Sequence, residues 1–149
     1  MSGGVLVTGG TGKTGTRLAA LLDKAGVKAR TASRRKGGGD GAVAFDWEDR
    51  ATWRAATDGL DAAYLVAPAI AGDPGPLMIE FTKFAMNEGV RRFVLLSGSP
   101  LPAGGPGMGQ VHQWLIDNGT EWAVLRPSWF MQNFSEAQHQ PTIQHEDKI

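Results

Sequence analysis

The stretch Val-Leu-Val-Thr-Gly-Gly-Thr-Gly-Lys-Thr-Gly at residues 5–15 places a short apolar segment directly before a glycine-rich turn. Residues 5–7 are branched and uncharged, as expected of a strand buried in a parallel sheet. The segment after the turn has helical spacing, and its apolar residues share one face: Leu18, Leu21, Leu22 and Ala25. Gly26 then ends the helix. Such a succession offers free backbone N–H groups to an anion, and a dinucleotide pyrophosphate is the best match.

The glycines of this turn fit two spacings at once. Gly10, Gly12 and Gly15 give G-x-G-x-x-G, while Gly9, Gly12 and Gly15 give G-x-x-G-x-x-G. Gly9 and Gly10 allow a sharp turn, including positive φ. We expect Gly12 to admit phosphates closely and Gly15 to let the helix pack on the strand.

A nucleotide-hydrolysing phosphate loop is the rival interpretation, because Gly12-Lys13-Thr14 resembles its last residues. That loop requires a glycine five residues before the final one, and Val7 occupies that position. The later strands are followed by Val66-Ala67-Pro68 and Ser97, and neither supplies an aspartate for Mg²⁺. The sequence therefore favours a dinucleotide site over a nucleotide-hydrolysing phosphate loop and over a structural turn that binds no ligand.

Composition sets modest bounds on function. The 149 residues have 42% hydrophobic content and fifteen basic against fifteen acidic residues, so we expect one domain and no nucleic-acid or anionic-membrane partner. No apolar run approaches the roughly 20 residues that span a bilayer, and no secretory signal is recognisable. Cysteine is absent and the three histidines lack metal-ligand spacing, so we expect no metal site. The expected location is the cytoplasm.

Strand and helix signals alternate along the chain. Strands are predicted at 5–7, 27–32, 42–45, 62–66, 92–97 and 122–126, with helices after the glycine turn and at 49–57, 77–87 and 110–118. Loops rich in proline and glycine cover 68–76 and 100–109, and glycines link the second strand to the third. This alternation predicts an α/β fold, a doubly wound parallel sheet of about six strands of the Rossmann type, over 1–149.

The carboxyl ends of such strands meet at the ligand site. After the second strand come Ser33-Arg34-Arg35-Lys36, where an NAD-selective site would place a carboxylate. A hydroxyl and three cations favour the 2′-phosphate of NADP(H) over NAD(H). After the third strand, Asp46 is a candidate for the adenine amino group, and a helix N-cap role near Asp49 is equally open.

Several further motifs make the chain similar to the NmrA-like atypical short-chain dehydrogenase/reductases, a resemblance that covers nearly its whole length. These motifs are Ala-Ser-Arg-Arg after the second strand, Phe-Asp-Trp after the third, Tyr-Leu-Val-Ala-Pro (64–68), Gly-Val-Arg-Arg-Phe-Val-Leu-Leu-Ser (89–97) and Leu-Arg-Pro-Ser-Trp-Phe-Met-Gln-Asn-Phe (125–134). With Gly-Met-Gly-Gln-Val-His (107–112), the later segments resemble the ergot alkaloid reductase branch, which includes festuclavine/agroclavine synthase-like enzymes.

The resemblance implies an NADPH-dependent oxidoreductase acting on an iminium, a quinone or a similar electron-poor small molecule. It implies a pyrophosphate site formed by Gly9, Thr11, Gly12, Lys13, Thr14 and Gly15. It places Ser33 and Arg34 at the 2′-phosphate, Asp46 at the adenine, Ala67 and Pro68 at the ribose, and Ser97 near the nicotinamide. It places Pro127, Phe130 and Asn133 around the nicotinamide and substrate. Phe130 and Trp129 suit core packing equally well.

The chain departs in two ways from the family that it resembles. The Tyr-x-x-x-Lys pair of the tyrosine-based short-chain dehydrogenases is absent, because the only tyrosine is Tyr64 and Pro68 stands where the lysine would be. No catalytic residue is therefore assigned; Ser97 and His112 are the groups considered for proton handling, with a packing or exposed role favoured for His112.

The second departure is length. Family members continue for roughly as much chain again beyond Phe134, so we expect the region that roofs the substrate to be absent from these residues. The alternatives to a reductase are a non-enzymatic NAD(P)-sensing regulator of the NmrA type and an inert, truncated cofactor-binding fragment. Completion by another subunit and assembly into a homo-oligomer stay open.

Overall fold

The computed structural model describes residues 3–35, 39–135 and 141. Its strands are β1 (Gly4–Val7), β2 (Ala29–Ser33), β3 (Ala42–Ala44), β4 (Leu60–Leu65), β5 (Arg92–Leu96) and β6 (Glu121–Leu125). Its helices are α1 (Lys13–Lys24), α2 (Trp53–Thr57), α3 (Gly75–Asn87), α4 (Met108–Asn118) and α5 (Gln132–Ser135), with a 3₁₀ turn at Arg50–Thr52 before α2.

The six strands form one sheet in the order β3-β2-β1-β4-β5-β6, and every neighbouring pair is parallel. The chain winds outward from β1 to β3 and then returns to the other side of β1 to continue through β6. The order therefore reverses between β1 and β4, which is where a doubly wound sheet opens a crevice at its carboxyl edge. The predicted fold class is confirmed.

The two faces of the sheet are covered unequally. Right-handed crossovers place α1 on one face and the helices of the return path on the other. In agreement, α1 contacts β1 and β2, whereas α2 contacts α3 and α3 contacts α4. The face with three helices therefore holds the hydrophobic core.

An aromatic cluster forms the centre of that core. Phe81 of α3 is fully buried, and its ring meets the rings of Phe45, Trp47 and Trp53 edge-on, with centroid separations of 5.0, 5.1 and 5.3 Å. Edge-to-face contact is the arrangement that the quadrupoles of aromatic rings favour. The cluster thus joins α3 to α2 and to the segment that follows β3.

The face that carries α1 has an open apolar groove of about 610 Å³. It is lined by Thr14, Arg17, Leu18, Leu21, Tyr64, Leu96, Val124, Leu125, Arg126, Pro127 and Phe130. Of the described helices that connect two strands, α1 alone lies on this face. Leu21 is consequently 62% exposed and Leu125 48% exposed. The predicted apolar face of α1 is real, but much of it is not buried.

Two elements begin at residues other than those predicted, because nearby residues form hydrogen bonds at a helix end. β2 begins at Ala29 rather than at Val27, because Gly26 turns back with φ +70° and the Val27 N–H donates to the Leu22 carbonyl. α3 begins at Gly75, before its predicted start, because the Asp73 carboxylate accepts from the Gly75 N–H.

Phe81→Ala should lower the free energy of unfolding by about 3–5 kcal/mol, because it removes the ring shared by three aromatic contacts and leaves a cavity. Leu21→Ala is the matched control, and its largely exposed side chain should contribute about 0.5 kcal/mol or less. Urea denaturation of both variants measures the difference. Equal costs for the two substitutions would contradict the assignment of the core to the α3 face.

Candidate functional site

One buried hydroxyl joins the carboxyl ends of β1 and β4. Thr8 Oγ1 donates to the Tyr64 carbonyl at 2.9 Å and accepts from the Val66 N–H at 2.8 Å. Its backbone N–H also donates to the Tyr64 carbonyl, at 3.0 Å. Because Thr8 has no exposed surface, these bonds hold the two strands at the point where the sheet order reverses. Thr8 was not among the residues predicted for the site. Only its position between the first strand and the glycines indicates its role.

The glycine turn itself is tightly packed. Gly9 has φ +61°, a conformation that favours glycine, and its carbonyl accepts from the Gly12 N–H at 2.9 Å. A Cβ on Gly15 would lie only 2.3 Å from the Gly9 carbonyl oxygen, and a Cβ on Gly10 only 2.9 Å from Thr31 Cβ. The two predicted spacings therefore both have a structural basis. Gly15 packs against the turn, whereas we expected it to pack against the strand.

The N-terminus of α1 emerges from this turn without a side-chain cap. Gly12 is the N-cap residue, and no side chain accepts from the N–H groups of the first turn. These groups have no partner within the helix, and the aligned peptide dipoles make this end positive. A Cβ on Gly12 would meet only the Gly9 carbonyl, at 3.2 Å, so an anion can approach closely here.

A cavity of about 280 Å³ lies at the carboxyl edge of the sheet beside this turn. It is lined by residues that end or follow β1, β2, β3 and β4: Gly9, Thr11, Gly12, Ala32, Ser33, Arg34, Phe45, Asp46, Trp47, Glu48, Val66, Ala67, Pro68, Ala69 and Ile70. The cavity thus spans the crevice expected to take a dinucleotide. Most of the residues predicted for the cofactor lie in its wall.

A second, basic cavity of about 580 Å³ adjoins the first and is lined by Thr11, Ser33, Arg34 and Arg35. The Arg34 side chain is exposed and meets no carboxylate within the part of the chain that the structure describes. The Ser33 hydroxyl donates to the Arg35 carbonyl, so it would have to turn in order to donate to a phosphate. This corner offers an unpaired guanidinium to an anion at the end of β2.

Asp46 has a structural role and also lines the cavity. Its Oδ1 accepts from the Glu48 N–H at 2.9 Å, and its backbone N–H donates to Thr52 Oγ1 at 3.0 Å. The N-cap of the 3₁₀ turn is Asp49, whose Oδ1 accepts from the Ala51 N–H at 3.1 Å. Asp46 therefore fixes the bend after β3, and its role at the adenine stays a prediction.

The other predicted residues lie outside the two cavities. Thr14, Pro127 and Phe130 line the apolar groove on the α1 face. Lys13 Nζ donates to Asn133 Oδ1 at 3.2 Å, which joins the start of α1 to α5. The roles predicted for these residues stay predictions.

Ser97 and His112 each bury a polar atom that has no hydrogen-bond partner among the described residues. The atoms are Ser97 Oγ and His112 Nδ1, and neither residue lines the cavities or the apolar groove. The His112 ring packs edge-on to Trp122 with a centroid separation of 5.8 Å, in agreement with a packing role. Trp129 is 69% exposed, so core packing is the wrong interpretation for it.

Asp73 ties together the loops that precede α3 and α4. Its Oδ1 accepts from the Gly75 N–H at 2.8 Å and from the Gly107 N–H at 3.1 Å, and its Oδ2 accepts from Gln110 Nε2. The two loops follow β4 and β5, and both lie at the carboxyl edge of the sheet. The Asp73 carboxylate therefore holds these loops together at that edge. The sequence predicted only a loop over 68–76, and nothing in it indicated the link to Gly107.

The described residues contain neither a membrane-spanning helix nor a metal-binding cluster. No described helix is both long enough and apolar enough to cross a membrane. No three histidine or carboxylate side chains among the described residues are grouped so that they could hold a metal ion.

Comparison with known proteins gives matches along nearly the whole chain. The model of the NAD dependent epimerase/dehydratase family matches residues 5–99. An uncharacterized oxidoreductase of Bacillus subtilis, YesF, is 42% identical over 147 residues, which cover 97% of this chain and 51% of that protein. Festuclavine synthase II of Penicillium roqueforti is 42% identical over 156 residues, covering 97% of this chain and 54% of that one. The resemblance to the festuclavine enzymes is confirmed.

Among solved structures, the NADPH complex of the quinone oxidoreductase QOR2 from Escherichia coli superposes with a TM-score of 0.69 and 22% identity. The match covers 88% of this chain and 51% of that one, and at this identity it supports the fold alone. The chain therefore spans about half the length of the relatives it matches.

Gly15→Ala and Gly12→Ala should separate packing from anion binding at the turn. A Cβ at position 15 collides with the Gly9 carbonyl, so this variant should lose about 1–3 kcal/mol of folding free energy. Gly12→Ala should fold with a smaller loss but should bind a dinucleotide more weakly, because the methyl group occupies the anion's approach. Denaturant titration and cofactor titration test the pair. Full stability of Gly15→Ala would contradict the packing described.

Proposed function

Because the chain belongs to the NAD dependent epimerase/dehydratase family, we propose that it is an NADPH-dependent oxidoreductase that reduces a small, electron-poor molecule. A nicotinamide cofactor follows from the family and from the crevice at the reversal of the sheet. The preference for NADPH, the class of acceptor and turnover by these 149 residues are the proposals. The cytoplasmic location and a homo-oligomeric state likewise stay predictions.

The observation that carries the preference for NADPH is the unpaired Arg34 beside Ser33 at the end of β2. A carboxylate there would accept from the ribose 2′-hydroxyl of NAD and would repel a 2′-phosphate. Arg34 instead offers two parallel N–H donors, which suit a phosphate bidentately. Arg35 lines the same basic cavity and adds to its positive potential.

The remaining parts of a dinucleotide also have matching groups. The uncapped N-terminus of α1 and the turn at Gly12 suit the pyrophosphate. Asp46 and Trp47 line the cavity where an adenine would lie, and Ala67 and Pro68 provide an apolar wall for a ribose. These residues would bind and orient the cofactor without taking part in the chemistry.

The acceptor is inferred from the groups that the chain lacks. When bound, NADPH supplies a hydride. Tyr64 lies within β4 rather than beside a lysine, so no phenol is poised to protonate a carbonyl oxygen. An iminium or a quinone needs less help, because it is already electron-poor. The similarity to the festuclavine enzymes, from which this class of acceptor was expected, supports the proposal.

Arg34→Ala should weaken the binding of NADPH by about 1.5–3 kcal/mol, the range for hydrogen bonds to a charged group, and should leave NADH nearly unaffected. Calorimetric titration with both cofactors measures this. Arg91→Ala is the matched control, since Arg91 is exposed and precedes β5 at the opposite edge of the sheet. Equal losses for NADPH and NADH in Arg34→Ala would refute the 2′-phosphate role.

Turnover is tested by NADPH oxidation with a naphthoquinone and with a cyclic iminium salt. Because the chain spans about half the length of its relatives, it should be assayed alone and joined to the part of the Bacillus relative that it does not match. A roof excludes water and orients a small acceptor, so the joined chain should be faster. Tight NADPH binding with no oxidation in either form would refute the reductase.

The second candidate is a non-enzymatic sensor of the NAD(P) redox state, which the missing Tyr-Lys pair favours. A sensor needs affinity for the dinucleotide and a partner protein, but no acceptor. It would bind without turnover and would retain a partner in pull-down experiments. The third hypothesis is an inert cofactor-binding fragment, which would neither turn over a substrate nor retain a partner protein.

A further inference from the structure

Lys13 and Asn133 join two parts of the chain that are 120 residues apart. Lys13 is the first residue of α1, and Asn133 belongs to α5. The Asn133 N–H donates to the Phe130 carbonyl at 2.9 Å, and Phe130 lines the apolar groove together with Thr14 of α1. The segment that leaves β6 therefore passes beside the start of α1.

The charge at this contact is uncompensated. Within the described residues Lys13 meets no carboxylate, and it is the first residue of α1, at the positive end of that helix. Its one partner there is a neutral amide oxygen, which orders the ammonium without neutralising it. Aspartate at position 133 would have formed an ion pair instead.

We propose that Asn133 is a positioning residue that acts through Lys13, holding its ammonium at the N-terminus of α1 to meet the cofactor pyrophosphate. The inference rests on the proposed cofactor function. It differs from the role that family resemblance implies for Asn133, which is contact with the nicotinamide and substrate.

The physical basis is the conformational freedom of lysine. A free lysine side chain samples many rotamers, and ordering it costs conformational entropy. Asn133 Oδ1 accepts a hydrogen bond from one of the three N–H groups of the Lys13 ammonium, which leaves two N–H groups to donate to phosphate oxygens. The Lys13 side chain is thereby held in place before the cofactor binds, so binding loses less conformational entropy.

Asn133→Ala should weaken NADPH binding by about threefold to tenfold, the affinity equivalent of one ordering hydrogen bond. Adenosine 2′-monophosphate is the second probe, because it carries the 2′-phosphate for the Arg34 end but has neither phosphate of the pyrophosphate. Its affinity should be unchanged within about twofold, a separation that a general loss of structure would not produce.

Two further variants identify Lys13 as the group through which Asn133 acts. In a Lys13→Ala background, Asn133→Ala should cause no additional loss, since nothing remains to be positioned. Asn133→Asp should weaken NADPH binding more than Asn133→Ala, because it pairs with Lys13 and repels the pyrophosphate. Asn118→Ala is the matched control; Asn118 also makes one hydrogen bond, to the Trp114 carbonyl, near the C-terminus of α4.

Each result bears on one proposal. If the unmodified chain binds neither probe, the cofactor function fails and this inference fails with it. If the chain binds both probes, then equal weakening of both by Asn133→Ala, or additive losses with Lys13→Ala, overturns the positioning role alone. Thermal unfolding of the unbound variants should match that of the unmodified chain.

Discussion

The approach of α1 to the glycine turn is the constraint on which the site depends. At the Gly15–Gly9 contact no side chain can be accommodated, so the helix starts against the turn rather than at a distance from it. This closeness brings the positive helix end to the carboxyl edge of the sheet, where Thr8 joins β1 to β4. The proposed anion site is therefore a consequence of backbone packing, and the anion that it selects would be determined by the side chains around it.

The sequence predicted the elements and the edge of the sheet at which they meet. Apolar runs and glycines act locally, so the strands, the turn and the order of helices could be read from them. The corner at Ser33 and Arg34 was found for the same reason, because its position in the chain fixes its position in the fold. The exposure of Leu21 could not be predicted from the sequence pattern. The pattern identifies the apolar face of a helix, but burial of that face depends on whether another element packs against it.

Links between distant segments were the other part that the sequence did not reveal. Thr8 with Val66, Asp73 with Gly107 and Lys13 with Asn133 each join segments that are far apart in the chain. No residue type or spacing identifies such a pair, since one hydrogen bond depends on the register and twist of several strands. All three links lie at or near the ligand edge, where loops from several strands must hold a common shape.

Trp47 belongs both to the aromatic cluster of the core and to the wall of the dinucleotide cavity, and Phe45 does the same. Arg34 touches neither the cluster nor any carboxylate described. The part of the cavity wall formed by Phe45 and Trp47 is therefore tied to the requirements of folding, whereas the corner at the end of β2 is free of them. If that corner selects the cofactor as proposed, a lineage with this fold can change its nicotinamide cofactor by substitutions at a few exposed positions, while the aromatic wall stays fixed by the packing beneath it.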